Sequence, residues 1–197
     1  MPKIVDRKAM RQKLLHAATA TFQRNGYNSS TMNDIAETAG VAKGTLYLYF
    51  KNKQAIVDAV FDMFFLGWVF RVDRPETAQS LEAFSKQLYE AMVLSDDEAT
   101  FVPIFYEVFG PKLREAEFRQ RLLGYFTQLE DHYFRTIIHL QGLGEVKKDL
   151  NPRDSARALV GFVDGVVTHR GMFMFSNARH RKTVASGLAL LLNGLRA

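Results

Sequence analysis

The chain has 197 residues, of which 47% are hydrophobic and 24% charged, with a net charge of +5 and no cysteine. That length suits one compact domain with a small companion and excludes a large multidomain enzyme. The composition excludes disordered and collagen-like classes, and the missing cysteines exclude a disulfide framework, cysteine-ligated zinc, iron–sulfur clusters and a thiol nucleophile. The charge is unevenly placed: residues 1–55 hold nine Lys and Arg against the three acids Asp6, Asp34 and Glu37, which leaves the remainder close to neutral. A small basic module joined to a neutral body is the footprint of a nucleic-acid binder, although a solvated basic face has the same charge. Aromatics run the other way, with eleven of the 16 Phe between Phe61 and Phe134. The apolar runs near 60–70 and 158–168 are interrupted by Asp62 and Asp164 and are too short for a membrane span. The opening Met1–Lys8 has no apolar core or small-residue cleavage site, so no secretion signal and a cytoplasmic location are expected.

In chain order the sequence reads as about nine helices, over 7–25, 32–39, 43–49, 53–72, 75–94, 98–109, 112–141, 152–174 and 178–195. Apolar residues recur at three and four, as in Leu15, Ala18, Thr19 and Phe22, and no two-residue alternation marks a strand. Thr31, Asp73, Ser95 and Asn151 each place a capping oxygen three residues before a carboxylate, and Pro152 fits the first helical position. Gly26, Gly40, Gly110 and Gly142 or Gly144 supply the stops, where positive φ ends a helix. Pro103 is expected to kink the sixth helix or mark its true start.

Thr31 to Lys53 is the most informative stretch. A short helix ends at Gly40, turns at Val41-Ala42 and restarts as a second short helix, which is the spacing of a DNA-reading helix-turn-helix. Ile35, Ala36, Ala39, Val41, Leu46 and Phe50 supply the contacts that hold the helices at a steep angle. Lys43, Thr45, Tyr47, Leu48 and Tyr49 are left over from that core. Lys43 and Lys53 stand near helix N-termini, where a cation is unfavourable unless an anion such as a DNA phosphate is present.

The same residues carry a family resemblance. Ala17-Ala18, Phe22, Gly26-Tyr27, Thr31, Asp34-Ile35-Ala36, Ala39-Gly40-Val41, Lys43-Gly44-Thr45-Leu46-Tyr47, Tyr49-Phe50-Lys51 and Lys53 resemble the tetracycline-repressor (TetR) family of bacterial regulators over roughly residues 8–60. The resemblance implies a homodimer that inserts the second helix of each motif into successive major grooves of double-stranded DNA. Lys43, Gly44, Thr45, Tyr47 and Tyr49 would then touch DNA, with Thr31 and Lys53 gripping phosphates. Tyr49 departs from the family's usual His, and Leu48 is apolar where a polar base reader could sit, though it can meet a thymine methyl.

The expected division is a helix-turn-helix domain over 1–55 and an all-α ligand-binding and dimerisation domain over 56–197. Helix 53–72 is apolar all round beyond Asp62, so its later half is expected to be buried. The resemblance implies a small-molecule pocket, here lined by aromatics and suited to a hydrophobic or aromatic effector. Its candidate lining is Phe64, Phe65, Trp68, Phe105, Tyr106, Phe109, Tyr125, Phe126, Leu129, Tyr133 and Asp164, the last either paired, turned outward or orienting a cationic ligand. His132, His139 and His169 read as satisfied or solvated histidines rather than a metal site, and no cofactor is expected. Ala158, Gly161 and Gly165, with Leu188, Leu191, Leu192 and Leu195, form small-residue and leucine stripes that suit a helical dimer interface.

No nucleophile elbow, zinc-binding HExxH, phosphate-cradling glycine loop or carboxylate pair is present, so an enzyme is not expected. The reading is a ligand-responsive repressor on a palindromic operator. The alternative is a non-inducible or architectural DNA-binding protein whose aromatic interior is only core.

Overall fold

The computed structural model describes residues 6–72 and 78–197, with the backbone alone at 64, 66–72 and 97. Ten α-helices occupy the described residues: α1 (Arg7–Asn25), α2 (Met32–Thr38), α3 (Lys43–Tyr47), α4 (Lys53–Val72), α5 (Leu81–Met92), α6 (Asp96–Ala99), α7 (Phe101–Phe109), α8 (Ala116–Leu143), α9 (Pro152–Met172) and α10 (Asn177–Leu195). The fold is all-α, and among the described residues the only β-type pairing is an isolated bridge between Val146 and Arg196.

The capping signals act as their chemistry dictates. Thr31 accepts from the Asp34 N–H while Asp34 accepts from the Thr31 N–H, a reciprocal capping box, and Ser95 and Glu98 repeat it at α6. Asn151 accepts from Arg153 and Asp154 N–H groups, with Pro152 at the start of α9 where no N–H is needed. The expected cap at Asp73 lies outside the described residues; α5 instead takes its N-cap from Ser80. Gly26, Gly40 and Gly144 have positive φ, whereas Gly110 does not. Gly110 instead lies against the Tyr106 carbonyl, which an added Cβ would approach to 2.5 Å.

The expected helix over 98–109 is two. α6 ends at Ala99, Thr100 intervenes, and α7 restarts at Phe101. Pro103 explains the break, because it has no N–H to offer the Ala99 carbonyl four residues back. Within α7 it occupies the first turn, whose N–H groups have no intrahelical partner in any case.

Two compact units result. The first runs up to Phe64 and also takes in Pro103–Pro111; the second comprises 65–102 and Lys112–Ala197. The division therefore falls inside α4 and α7 rather than at residue 55. In the first unit, Leu14, Leu15, Ala18 and Phe22 of α1 are buried, as are Ile35, Leu46 and Phe50, all at most 4% exposed, and α2 packs against both α1 and α3. Arg11 lies over the Phe50 ring, 5.2 Å from its centroid, so α1 also covers the end of the reading motif.

The second unit is built on α5, α8, α9 and α10. Phe84, Leu88, Met92, Leu129, Tyr133, Ile137, Leu140, Leu159, Val163 and Val184 share one core. Leu188 and Leu192 join it at 2% and 5% exposure, which corrects their expected place on a dimer surface. With Val184 they form an i, i+4 row, and that row faces the subunit's own interior. On the same helix Leu190 faces outward, at 79% exposure. Tyr133 belongs to the same core: its ring meets Phe84 edge-on at 5.9 Å, and its buried hydroxyl has no hydrogen-bond partner among the described residues. Burial raises its phenol pKa well above the usual range. Tyr133→Phe is therefore expected to leave stability unchanged or to raise it by about 1 kcal/mol, measured by urea denaturation, because it removes an unsatisfied buried group.

Candidate nucleic-acid interface

The reading motif is positioned by its buried face. Ile35 and Ala36 of α2 and Leu46 of α3 are at most 3% exposed, and Ala39 is 4% exposed at the turn between them. With Leu46 pinned inward, the rest of α3 is displayed. Lys43 and Gly44 are exposed, Tyr47 is 46% exposed and Leu48 76%, while Thr45 and Tyr49 are half-buried. The predicted base-contacting residues therefore share one short helix and the turn after it. A Leu at 76% exposure is unfavourable in water and becomes useful when an apolar group such as a thymine methyl covers it. The Lys43 ammonium lies 6.0 Å from the Tyr47 ring centroid, so charge and ring occupy adjacent parts of this surface.

Thr31 is exposed at the start of α2. Its oxygen accepts from Asp34 at 3.2 Å, which leaves its O–H proton available for a phosphate oxygen. The hydrogen bond from the Thr31 N–H holds the Asp34 carboxyl below its ordinary range. This contribution is present above the unfolded pKa and is lost as pH falls through the folded one. Thr31→Ala is expected to cost about 1 kcal/mol of stability through the lost cap. Operator titration should show a further loss of DNA affinity.

Lys53 is placed differently from its expected role. Its ammonium donates to the Tyr27, Asn28 and Ser30 carbonyls at 2.8, 3.3 and 2.8 Å and lies 4.3 Å from the Tyr27 ring centroid. All three ammonium hydrogens thus have acceptors within the protein. The sequence offers no signal for this, because the three carbonyls lie 23 to 26 residues away. Glu107, which accepts from Tyr27 and Asn28 N–H groups, was likewise invisible at 79 to 80 residues' separation.

The expected effector-pocket residues are divided between the two units. Phe105 and Phe109 pack on Phe61 within the first unit, with ring centroids 6.1 and 4.8 Å apart, and Tyr106 adjoins Phe105. Phe65 stacks on Tyr125 at 5.3 Å and meets Phe126 edge-on at 6.4 Å in the second unit, where Leu129 is buried. The Phe64 and Trp68 side chains lie outside what the structure describes. Asp164 stands on the outer side of α9 near Gly161 and Gly165, where partial desolvation raises its carboxyl pKa. His132 is buried against Tyr133, His139 is half-buried and His169 is exposed beside Phe173. Among the described residues no three His, Asp or Glu side chains gather as metal ligands, and no helix is long and apolar enough to cross a membrane.

Comparison with known proteins agrees with this surface. The profile of the bacterial regulatory proteins, tetR family, matches residues 14–60. The fatty acid metabolism regulator protein of Bacillus subtilis is 29% identical over 168 residues, covering 79% of this chain and 80% of that one. A TetR transcription regulator from Haloarcula marismortui superposes with a TM-score of 0.80 at 16% identity, over 96% of this chain and 100% of that one. FadR from Bacillus subtilis, solved in complex with stearoyl-CoA, gives a TM-score of 0.66 at 24% identity, over 94% and 99% of the two chains. The exposed face of α3, the capped α2 and the matched profile coincide on the same residues: the helix-turn-helix stretch over 14–60 is similar to that of the tetR family of bacterial regulatory proteins, and the chain as a whole shares the fold of the solved TetR-type regulators.

Proposed function

We propose that the protein is a homodimeric repressor that holds a palindromic operator and is released by a hydrophobic small molecule. The observation that carries the reading is the outward face of α3, where Lys43, Gly44, Tyr47 and Leu48 are exposed while Leu46 anchors the helix. Thr45 and Tyr49 flank that face, and Thr31 supplies a phosphate contact. Two such helices about 34 Å apart would meet successive major grooves of one operator.

The exposed sides of α9 and α10 support the dimer, with Ala158, Gly161, Gly165, Leu191 and Leu195 as its contacts. Gly161 and Gly165 have no atom within 4 Å of an added Cβ, so nothing in their own subunit explains why they are glycine. A groove of about 240 Å³ opens along the same face, lined by Gly161, Phe162, Gly165, His169 and Thr183 among others. The effector reading draws on Phe65, Tyr125, Phe126 and Leu129, an apolar aromatic wall in the second unit. The stearoyl-CoA complex of the Bacillus subtilis relative makes a long-chain acyl thioester the first compound to test. Its effect requires different affinities for the two states of the regulator.

The test is titration of the purified protein against the DNA upstream of its own gene, over a salt series, with and without stearoyl-CoA. The reading expects a specific complex of one dimer per site. Its log affinity should fall with log salt by about 0.9 per phosphate neutralised, and the acyl thioester should weaken it. Equal salt-sensitive binding to random DNA would favour the architectural alternative.

A further inference from the structure

We propose that Glu107 is a positioning residue for DNA binding, whose carboxylate fills the anion-binding turn at Gly26–Asn28 and makes α7 a working part of the reading module. The turn begins at Gly26, with φ 75° and ψ 157°, a backbone conformation open essentially to glycine alone. Beyond it the N–H groups of Tyr27 and Asn28 point to one side, and successive N–H groups of this kind form a concave anion site. Glu107 occupies it. Its two oxygens accept from the Tyr27 N–H and the Asn28 N–H, each at 3.3 Å, and from the Asn28 side-chain amide at 3.2 Å.

The opposite side of the same turn is held by the opposite charge. Lys53, at the start of α4, donates to the Tyr27, Asn28 and Ser30 carbonyls, and Ser30 in turn donates to the Gly26 carbonyl at 2.6 Å. A carboxylate from α7 thus takes the turn's N–H groups and an ammonium from α4 takes its C=O groups. The next residue is Thr31, the N-cap of α2 and the proposed phosphate contact. Three peptide links therefore separate Asn28, at one end of the clamp, from Thr31, which would touch DNA.

Stability alone does not require this arrangement. Asn28 and Glu107 are exposed, and water could satisfy the N–H groups of a surface turn. Nor can Glu107 serve DNA directly, since a carboxylate repels phosphate. What the clamp adds is a mechanical tie. α7 is one continuous helix whose first residues, Phe101 and Val102, are counted with the second unit and whose remainder is counted with the first. With Glu107 in place, the start of α2 follows α7; without it, the turn keeps Lys53 and its own Ser30–Gly26 hydrogen bond but loses its link to α7. Control of half-site spacing through this tie rests on the dimeric reading above.

The test uses the full chain and a two-half-site duplex selected by the wild-type protein from a random-sequence library. Affinity is compared with that for the same duplex carrying two inserted base pairs between half-sites. Glu107→Ala is expected to weaken binding to the selected duplex and to reduce discrimination against the insertion by about fivefold or more. Glu107→Gln, which keeps an accepting oxygen, should restore most of that discrimination. Hydrogen exchange at the Tyr27 and Asn28 amides should accelerate in Glu107→Ala. Unchanged discrimination with a lowered melting temperature would make Glu107 merely structural and overturn the proposal. If the wild type selects only single half-sites, the dimeric reading fails, and the clamp is then decided by exchange and single-site affinity. Faster exchange with weaker binding retains it; unchanged exchange removes it.

Discussion

Lys43→Met and Lys53→Met are expected to weaken operator binding in two distinguishable ways. Lys43 is exposed beside Tyr47 and has its ammonium free to meet a phosphate. Its loss should lower affinity about tenfold and make the slope of log affinity against log salt shallower by about 0.9, with folding stability changed by less than about 0.5 kcal/mol. Lys53 is committed to three carbonyls of the α1–α2 turn. Its loss should cost about 2 kcal/mol of stability, since a charged donor is removed from acceptors it was satisfying. Binding should weaken because the turn and the start of α2 are less well held, but the salt slope should stay that of the wild type. Anisotropy titrations over a salt series, paired with urea denaturation, separate the two. A shallower slope for Lys53→Met would show that the ammonium leaves the carbonyls for a phosphate when DNA is bound.

These two lysines mark what sequence can and cannot reveal. Both stand near helix N-termini with the same formal charge, and a local argument gives them the same partner. The difference is made by a turn more than twenty residues away, which no local pattern encodes. The helix starts, by contrast, were legible at Thr31, Ser95 and Asn151, because a cap and its carboxylate are three residues apart and their geometry is local. The reading motif was legible for the same reason: its core positions and its leftover surface residues fall within a single stretch of about twenty residues.

The body of the protein was less transparent because apolar residues do not declare which neighbour they will meet. Phe105 and Phe109 pack on Phe61 within the first unit, while Tyr125 and Phe126 meet Phe65 within the second, and no local pattern assigns those partners. In α10 the leucines at 188 and 192 are indistinguishable by composition from those at 190 and 191. Only the phase set by packing against α5 and α9 sends the first pair inward. Asp164 was recognised as an oddity, and its outward position on α9 accounts for a charge amid valines: the valines face the core and the carboxyl does not.

Glycines within α9 should respond to the same substitution in opposite ways. At Gly171 an added Cβ would stand 2.3 Å from the Val102 Cβ and 2.6 Å from the Ala99 carbonyl oxygen. A backbone oxygen at a helix end and the first carbon of a β-branched side chain cannot move aside without moving α6 and α7. Gly171→Ala is therefore expected to cost about 3 kcal/mol, the upper range for overpacking a rigid site. At Gly165 nothing lies within 4 Å of the same added carbon. There alanine should raise subunit stability by about 0.5–1 kcal/mol, through the better helix propensity alone. If the exposed side of α9 is the dimer interface, however, the methyl group holds the paired helices apart. The dimer dissociation constant should then rise about tenfold, equivalent to 1.4 kcal/mol. Urea denaturation at a protein concentration well above dimer dissociation, with sedimentation equilibrium over a dilution series, reads the two effects separately. A Gly165→Ala protein with wild-type dimerisation would remove this face of α9 from the interface, and the self-association surface would have to be sought elsewhere.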